Sequence, residues 1–432
     1  MQTKSLLYLL SFLLLNSYLY ADIQLIKKEN KDSNTTLLVI GGIHGNEPGG
    51  YFSASILATN YTIKSKNLWI IPNLNKASIL ANRRGIHGDM NRKFAVMKKN
   101  DKDKQIVNDV KKIILSKKVS LVLNLHDGHG FYREKNEGSI YNPRAWGQTC
   151  VIDQCNLEQD QEFGHLNTIA VTVKDTINKK LLLKHHSFNV KNTKTKYFDE
   201  AMQNSLTYFA VTHDKPAFAI ETSKNLSSLS QKVFYQLLAI EEFMKIMHIT
   251  FKRNFELNEK NIKKILKNYG KVSINNNIKL NFSNIKKSLR FIPIKSKNNK
   301  FIFSHPLGNV RKVRGRYEIY VGNKRLTVLK PQYFKIAKNC PKSFDMIIDG
   351  KAISAKPASE LLVNADFKIL KSKQFRVNVI GFRKKGHINE SGLEINYKNL
   401  DKNYSIDKKH KRYRLEIYDK NKFCSMSIIH FK

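Results

Sequence analysis

The run Leu38-Val39-Ile40-Gly41-Gly42-Ile43-His44-Gly45-Asn46-Glu47-Pro48-Gly49-Gly50 decides how this chain is read. An apolar strand gives way to glycines, and an imidazole and a carboxylate then follow three residues apart. A catalytic metal at a strand end needs such a pair, a third protein ligand from elsewhere and a fourth position open to water. His126 is the third candidate. It ends a second apolar strand, Leu121-Val122-Leu123-Asn124-Leu125, and Asp127-Gly128 follow it. Strand ends that converge in this way suit a parallel sheet, whose sites lie at the carboxyl ends of its strands. An HxxE pair alone also arises by chance, and a strand-end histidine also occurs as a satisfied core group.

Two further segments shift that balance. In Phe218-Ala219-Ile220-Glu221-Thr222-Ser223 an apolar strand ends in a carboxylate, where partial burial raises its pKa and suits it to act as a general base. In Arg83-Arg84-Gly85-Ile86-His87-Gly88-Asp89-Met90-Asn91-Arg92-Lys93-Phe94, arginines bracket a short loop, and guanidinium forks are the preferred clamp for a carboxylate.

In chain order, HGNE, NRRGIHGDMNRKF, LNLHDG and FAIET resemble the zinc carboxypeptidases of the M14 (funnelin) type over about the first half of the chain. The resemblance implies one zinc ion held by His44, Glu47 and His126, with Glu221 as the catalytic base. It implies that Asn91 and Arg92 hold the substrate's terminal carboxylate and that Arg84, or alternatively Arg83, polarises the scissile carbonyl. Met90 stands where the family usually has Leu, a volume-conserving exchange. Tyr208 is a candidate for the substrate-covering tyrosine and equally a core aromatic. A clamp for a terminal carboxylate restricts cleavage to the last residue, because an unpaired charged site is costly. The implied activity is that of an exopeptidase.

Lys4 precedes the apolar run Leu6 to Leu15, and a polar chain begins at Asp22. Residues 1–21 read as a cleavable secretory signal, with an uncleaved anchor as the alternative. No later segment is apolar enough to span a bilayer, so no stable membrane insertion is expected once the signal is removed. Cys150 and Cys155 lie close enough to close a small disulfide loop in an oxidising space. Cys340 and Cys424 read as buried thiols or a second bridge.

The length calls for more than one domain. Alternating strands and helices from 22 to 250 argue an α/β carboxypeptidase-like domain, a mixed sheet flanked by helices. Its last helix carries Val233, Leu237, Ile240, Met244 and Met247 on one stripe. Short strands separated by turns then argue two small all-β domains, a barrel-like one at 251–339 and an Ig-like β-sandwich at 340–432. No internal repeat is visible.

The formal net charge is +41, from 76 Lys plus Arg against 35 Asp plus Glu. Such charge attracts polyanions, but no nucleic-acid motif accompanies it. Part of the Lys and Asn excess reads as base-composition bias, and a local basic patch suits an anionic wall polymer.

An exported catalytic domain followed by two β domains resembles, within that family, the peptidoglycan DL-carboxypeptidases that set cell shape in helical Gram-negative bacteria. Some members carry Gln at the first zinc position, where this chain keeps His44. The resemblance implies a periplasmic enzyme acting on peptidoglycan muropeptides, releasing meso-diaminopimelate from murein tripeptide, with other cell-wall proteins as partners of the β domains. Arg133 and Arg144 are candidates for contacting the diaminopimelate side chain. The rival readings are a desuccinylase- or aspartoacylase-type amidohydrolase and a non-catalytic wall-binding scaffold. His87, His129, His185 and His186 lie outside the motifs and receive no metal role, although His129 could lie just behind the ligands.

Overall fold

The computed structural model describes residues 17–20, 23–31, 33–159 and 161–432. The expected signal, residues 1–21, lies outside them except for Ser17–Tyr20, whose backbone pairs antiparallel with Ile23–Lys28. The chain divides into two compact units, Met1–Lys263 and Lys264–Lys432.

The first unit is built on an eight-stranded mixed sheet. Its strands run in the order Ser17–Tyr20, Ile23–Lys28, Asn67–Ile71, Thr36–Gly41, Val119–Gly128, Ala217–Ser223, Thr149–Ile152 and Asn189–Asn192. The three central strands are parallel, with Gly41 opposite Leu125 and Glu221 opposite His126. Leu37 to Ile40, Leu121 to Leu123 and Phe218 are wholly buried, the continuous apolar runs expected of strands covered on both faces. The helices Pro48–Asn60, Leu166–Asn178 and Leu229–Ile246 pack on this sheet.

The glycines of the opening motif have identifiable uses. Gly42 turns the chain out of its strand at φ +78°, a conformation in which a side chain is strained. Gly49 brings the helix onto the neighbouring strand so closely that a Cβ there would lie 2.2 Å from Asp127 Oδ1. Pro48 at the first helical turn costs no hydrogen bond, because its N–H would have had no intrahelical partner.

The boundary expected at 250 falls later. Phe251–Arg253 pairs with Tyr61–Ile63, and the hydroxyls of Ser228 and Ser230 bond Glu259 at 3.0 and 2.9 Å, so these residues stay with the first unit. The second unit is all β. Strands from both sides of the boundary expected at 339 enter one seven-stranded sheet, in which Ile278 pairs with Met426. Two four-stranded sheets complete the unit.

The cysteines correct one expectation. Cys150 and Cys155 are not bridged: Cys150 is buried in the strand Thr149–Ile152, whereas Cys155 is exposed and accepts a hydrogen bond from Asn192. The bridge joins Cys340 to Cys424 across 84 residues, with Cα atoms 5.4 Å apart. Among the described residues no helix is long and apolar enough to cross a membrane.

Candidate metal centre and active site

Three elements deliver the candidate ligands. His44 and Glu47 lie in the turn between the strand Thr36–Gly41 and the helix Pro48–Asn60, and His126 lies near the end of Val119–Gly128. Their donor atoms crowd together, with His44 Nδ1 and His126 Nδ1 lying 3.0 and 2.9 Å from Glu47 Oε2 and 3.2 Å from each other. A tetrahedral ion with bonds of about 2.0–2.1 Å separates its ligands by roughly 3.3 Å. The two imidazole nitrogens and one carboxylate oxygen therefore suit a metal in chemistry and spacing. They form the one such group among the described residues.

Burial disfavours charge on His44, but Glu47 and Asp89 outweigh it and raise the ring to about 9. Burial likewise opposes ionisation of Glu47, yet the two histidines hold its carboxyl well below the usual range. A divalent ion would supply the positive charge that Glu47 otherwise draws from its neighbours.

The surroundings orient these ligands. Asp89 Oδ1 pairs with His44 Nε2 at 2.8 Å and accepts the Asn91 backbone N–H at 2.9 Å. A carboxylate on the far nitrogen fixes which imidazole nitrogen faces a metal. Asp127 ties the turn together by accepting the Gly49 N–H at 2.8 Å and the Thr222 hydroxyl at 2.6 Å, and burial raises its carboxyl to about 6. Gln236, from the helix Leu229–Ile246, donates to the carbonyls of His126 and Ile220 at 2.7 and 3.2 Å. That bond pins the ends of both strands.

A cavity of about 260 Å³ opens over the three ligands, lined also by Arg84, Asn91, Arg92, His129, Trp146, Met202, Thr207, Glu221 and Lys224. Burial and the nearby Glu47 raise the Glu221 carboxyl well above its ordinary value. No described residue hydrogen-bonds that carboxylate. It faces the cavity with its lone pairs free.

Arg84 donates from Nε to Asp89 Oδ2 at 2.8 Å and from Nη1 to Glu47 Oε1 at 3.2 Å. Arg83 is exposed and does not line the cavity, so of the two arginines Arg84 is the one that reaches it. Asn91 Oδ1 accepts the Leu206 N–H at 2.9 Å, and Arg92 Nη1 donates to the Asn91 carbonyl at 3.0 Å. Lys93, buried between Asp101 and Asp103 at 2.8 Å each, anchors the loop that presents them.

Other candidates fall elsewhere. Tyr208 and Arg144 do not line the cavity, and Arg133 is tied to the carbonyls of Tyr132, Ser187 and His185. His186 accepts or donates to the Tyr235 hydroxyl at 3.0 Å and stacks on Phe131, a packing role. Sequence reasoning missed Asp89 as the partner of His44 and Lys224 as a partner of Glu47 at 3.3 Å. For Asp89 a local signal existed, since it caps the short turn Met90–Arg92.

Comparison with known proteins agrees with this geometry. A family described as "Carboxypeptidase controlling helical cell shape catalytic" matches residues 3–267, and one described as "C-terminal domain of metallo-carboxypeptidase" matches residues 337–432. The apo cell shape determinant protein Csd4 of Helicobacter pylori superposes with a TM-score of 0.89 at 33% identity, covering 95% of this chain and 100% of that one. A tripeptide-bound form of the same protein matches with a TM-score of 0.88 at 33% identity, covering 95% and 100% of the two chains. Its mDAP-bound form, described as a D,L-carboxypeptidase, matches with a TM-score of 0.89 at 33% identity, covering 94% and 100%. No curated protein sequence matches the chain. Because the catalytic family spans more than half of the sequence and the structural likeness runs through nearly all of it, the chain belongs to the carboxypeptidases that control helical cell shape.

Proposed function

We propose that this chain is a periplasmic zinc carboxypeptidase that trims peptidoglycan stem peptides. In this reading it hydrolyses murein tripeptide to dipeptide, releases meso-diaminopimelate and thereby influences cell shape. The observation that carries the reading is the convergence of His44, Glu47 and His126 beside Glu221, whose carboxylate has no hydrogen-bond partner among the described residues, in one cavity with Arg84, Asn91 and Arg92. The tripeptide- and mDAP-bound structures of the Helicobacter pylori relative support the substrate. The signal-like amino terminus supports the compartment.

His44, Glu47 and His126 would hold the zinc ion, which when bound activates water and polarises a carbonyl. Glu221 takes a proton from the attacking water and returns it to the leaving amine; burial keeps its proton affinity high enough for both steps. Arg84 donates to the carbonyl oxygen as negative charge develops there. Asn91 and Arg92 bind the terminal carboxylate and restrict cleavage to the last residue.

Incubating the purified protein with murein tripeptide and tetrapeptide, with and without a chelator, tests this by product mass. Chelator-sensitive loss of one diaminopimelate from the tripeptide alone is expected. Hydrolysis of N-acyl amino acids in its place would favour the desuccinylase-type reading. No hydrolysis at one bound zinc per chain would overturn the enzyme reading.

A further inference from the structure

The second unit contains a cavity of about 380 Å³, larger than the one over the candidate ligands. We propose that it is a second ligand site, which seats a carboxylate of an anionic glycan–peptide polymer on Arg414. The proposal rests on the wall-enzyme reading for the identity of the polymer and on the cavity itself for the chemistry.

Arg414 lines this cavity although it is 95% buried, being only 5% exposed. Its Nη1 donates to the Phe291 carbonyl at 2.8 Å and lies 3.3 Å from Glu416 Oε1. Its Nε and Nη2 have no partner among the described residues. Its charge is met by Glu416, and Nε and Nη2 are not among the enclosed polar atoms left without a partner, so they stay accessible from the cavity. A carboxylate matches the free edge of the fork. Lys286 and Arg290 line the same cavity against a single lining carboxylate, Asp401, and Arg290 is exposed with no acidic partner among the described residues.

The rim is aromatic. Phe291 is 58% exposed and adopts φ +55° at an irregularity in strand pairing between Leu289 and Ile292. For a bulky residue that conformation is unfavourable, and exposing the ring returns nothing to folding. Tyr404 is exposed on the same cavity. Flat apolar rings beside cations suit a sugar or peptide unit that carries a carboxylate, and a pocket of this size accepts one such unit.

The basic surface continues beyond the cavity. Ser288 also lines an adjoining open cleft of about 560 Å³, whose walls carry Arg314, Arg316, Arg325 and Lys330. The acidic group in that cleft, Glu318, is already paired with Arg311 at 2.7 Å and Arg325 at 2.9 Å. Arg314, Arg316 and Lys330 are left to meet further charges along a polymer.

Co-sedimentation of the full chain, kept in chelator, with purified murein sacculi tests the site. The double variant Arg290→Glu with Arg316→Glu changes exposed side chains only, and a thermal melt checks that it folds. An apparent affinity weaker by about tenfold or more than wild type is expected, since even one lost charge-assisted contact is worth about tenfold. Arg414→Met should weaken binding similarly, and Arg383→Glu, an exposed control outside both cavities, should leave it unchanged. A double variant that binds sacculi like the wild type overturns the proposal. So does a double variant that loses binding to single-stranded DNA but not to sacculi. The failures are separable: a chain that turns over no tripeptide yet needs Arg290 and Arg316 to bind sacculi keeps this site and loses the activity, and the reverse pattern removes this site alone.

Discussion

In residues 1–263 the buried carboxylate of Glu47 draws partners from distant parts of the chain toward one cavity, whereas in residues 264–432 the buried carboxylate of Asp407 serves the backbone beside it. Glu47 is approached by His44, Arg84, His126 and Lys224, which span 180 residues of sequence. Asp407 instead accepts the backbone N–H groups of Lys409, Lys411 and Arg412. A carboxylate satisfied by local amides builds a turn. One ringed by converging side chains, beside a second carboxylate that faces the same cavity, is arranged for a ligand. Arg414 is where the second unit departs from its own pattern.

The largest expected effect tests the ligand assignment. His126→Ala should abolish both metal content and peptide hydrolysis while circular dichroism stays native; a variant that keeps one tightly bound metal would remove His126 from the ligand set. Next in size, Glu221→Gln should retain the metal and lose about 10²–10⁴-fold in kcat, the usual worth of a positioned acid–base group. Elemental analysis with steady-state kinetics separates the two variants, and equal loss of metal would assign Glu221 to coordination.

A smaller effect, on stability, belongs to the second unit. Replacing Cys424 by Ser opens the bridge to Cys340 and should cost about 4 kcal/mol in a denaturant melt, because that bridge closes a long loop of the unfolded chain. Metal content should not change. Alkylation of the unreduced native protein should label the exposed Cys155 and spare Cys150, whose thiol burial pushes up strongly.

The smallest effect concerns acid. The backbone amides of Ala365 and Asn364 hold the Asp349 carboxyl below its ordinary value. Its folded pKa is therefore lower than its unfolded one, so its stabilisation is present above about pH 4 and fades as pH falls through the folded pKa. Asp349→Asn should flatten the acid side of the stability profile without affecting hydrolysis. An unchanged slope below about pH 4 would remove Asp349 from the account.

Much of the site was legible because its chemistry is written at strand ends. His44, Glu47, His126 and Glu221 each follow or close an apolar run, and parallel pairing brings such ends together. The Asp89 bond to His44 crosses 45 residues and was not legible as a contact. Arg83 and Arg84 are neighbours in sequence, and only backbone direction after the helix Lys76–Ala81 decides which reaches the cavity. The cysteines misled for a related reason. Closeness in sequence favours pairing, but a strand side chain buried in a sheet cannot meet an exposed one just beyond it.

By itself the sequence determined the local chemistry: hydrophobic period, glycine and proline positions, and the residue types at the ends of strands. These follow from short-range sterics and burial. Only the tertiary structure decided which distant groups share a space: Asp89 with His44, Cys340 with Cys424, Ile278 with Met426, and Arg414 with the Phe291 carbonyl. Each of these joins residues 45 to 148 positions apart. Loop closure over such lengths costs nearly the same for many alternative partners, so the packing of the whole unit selects among them.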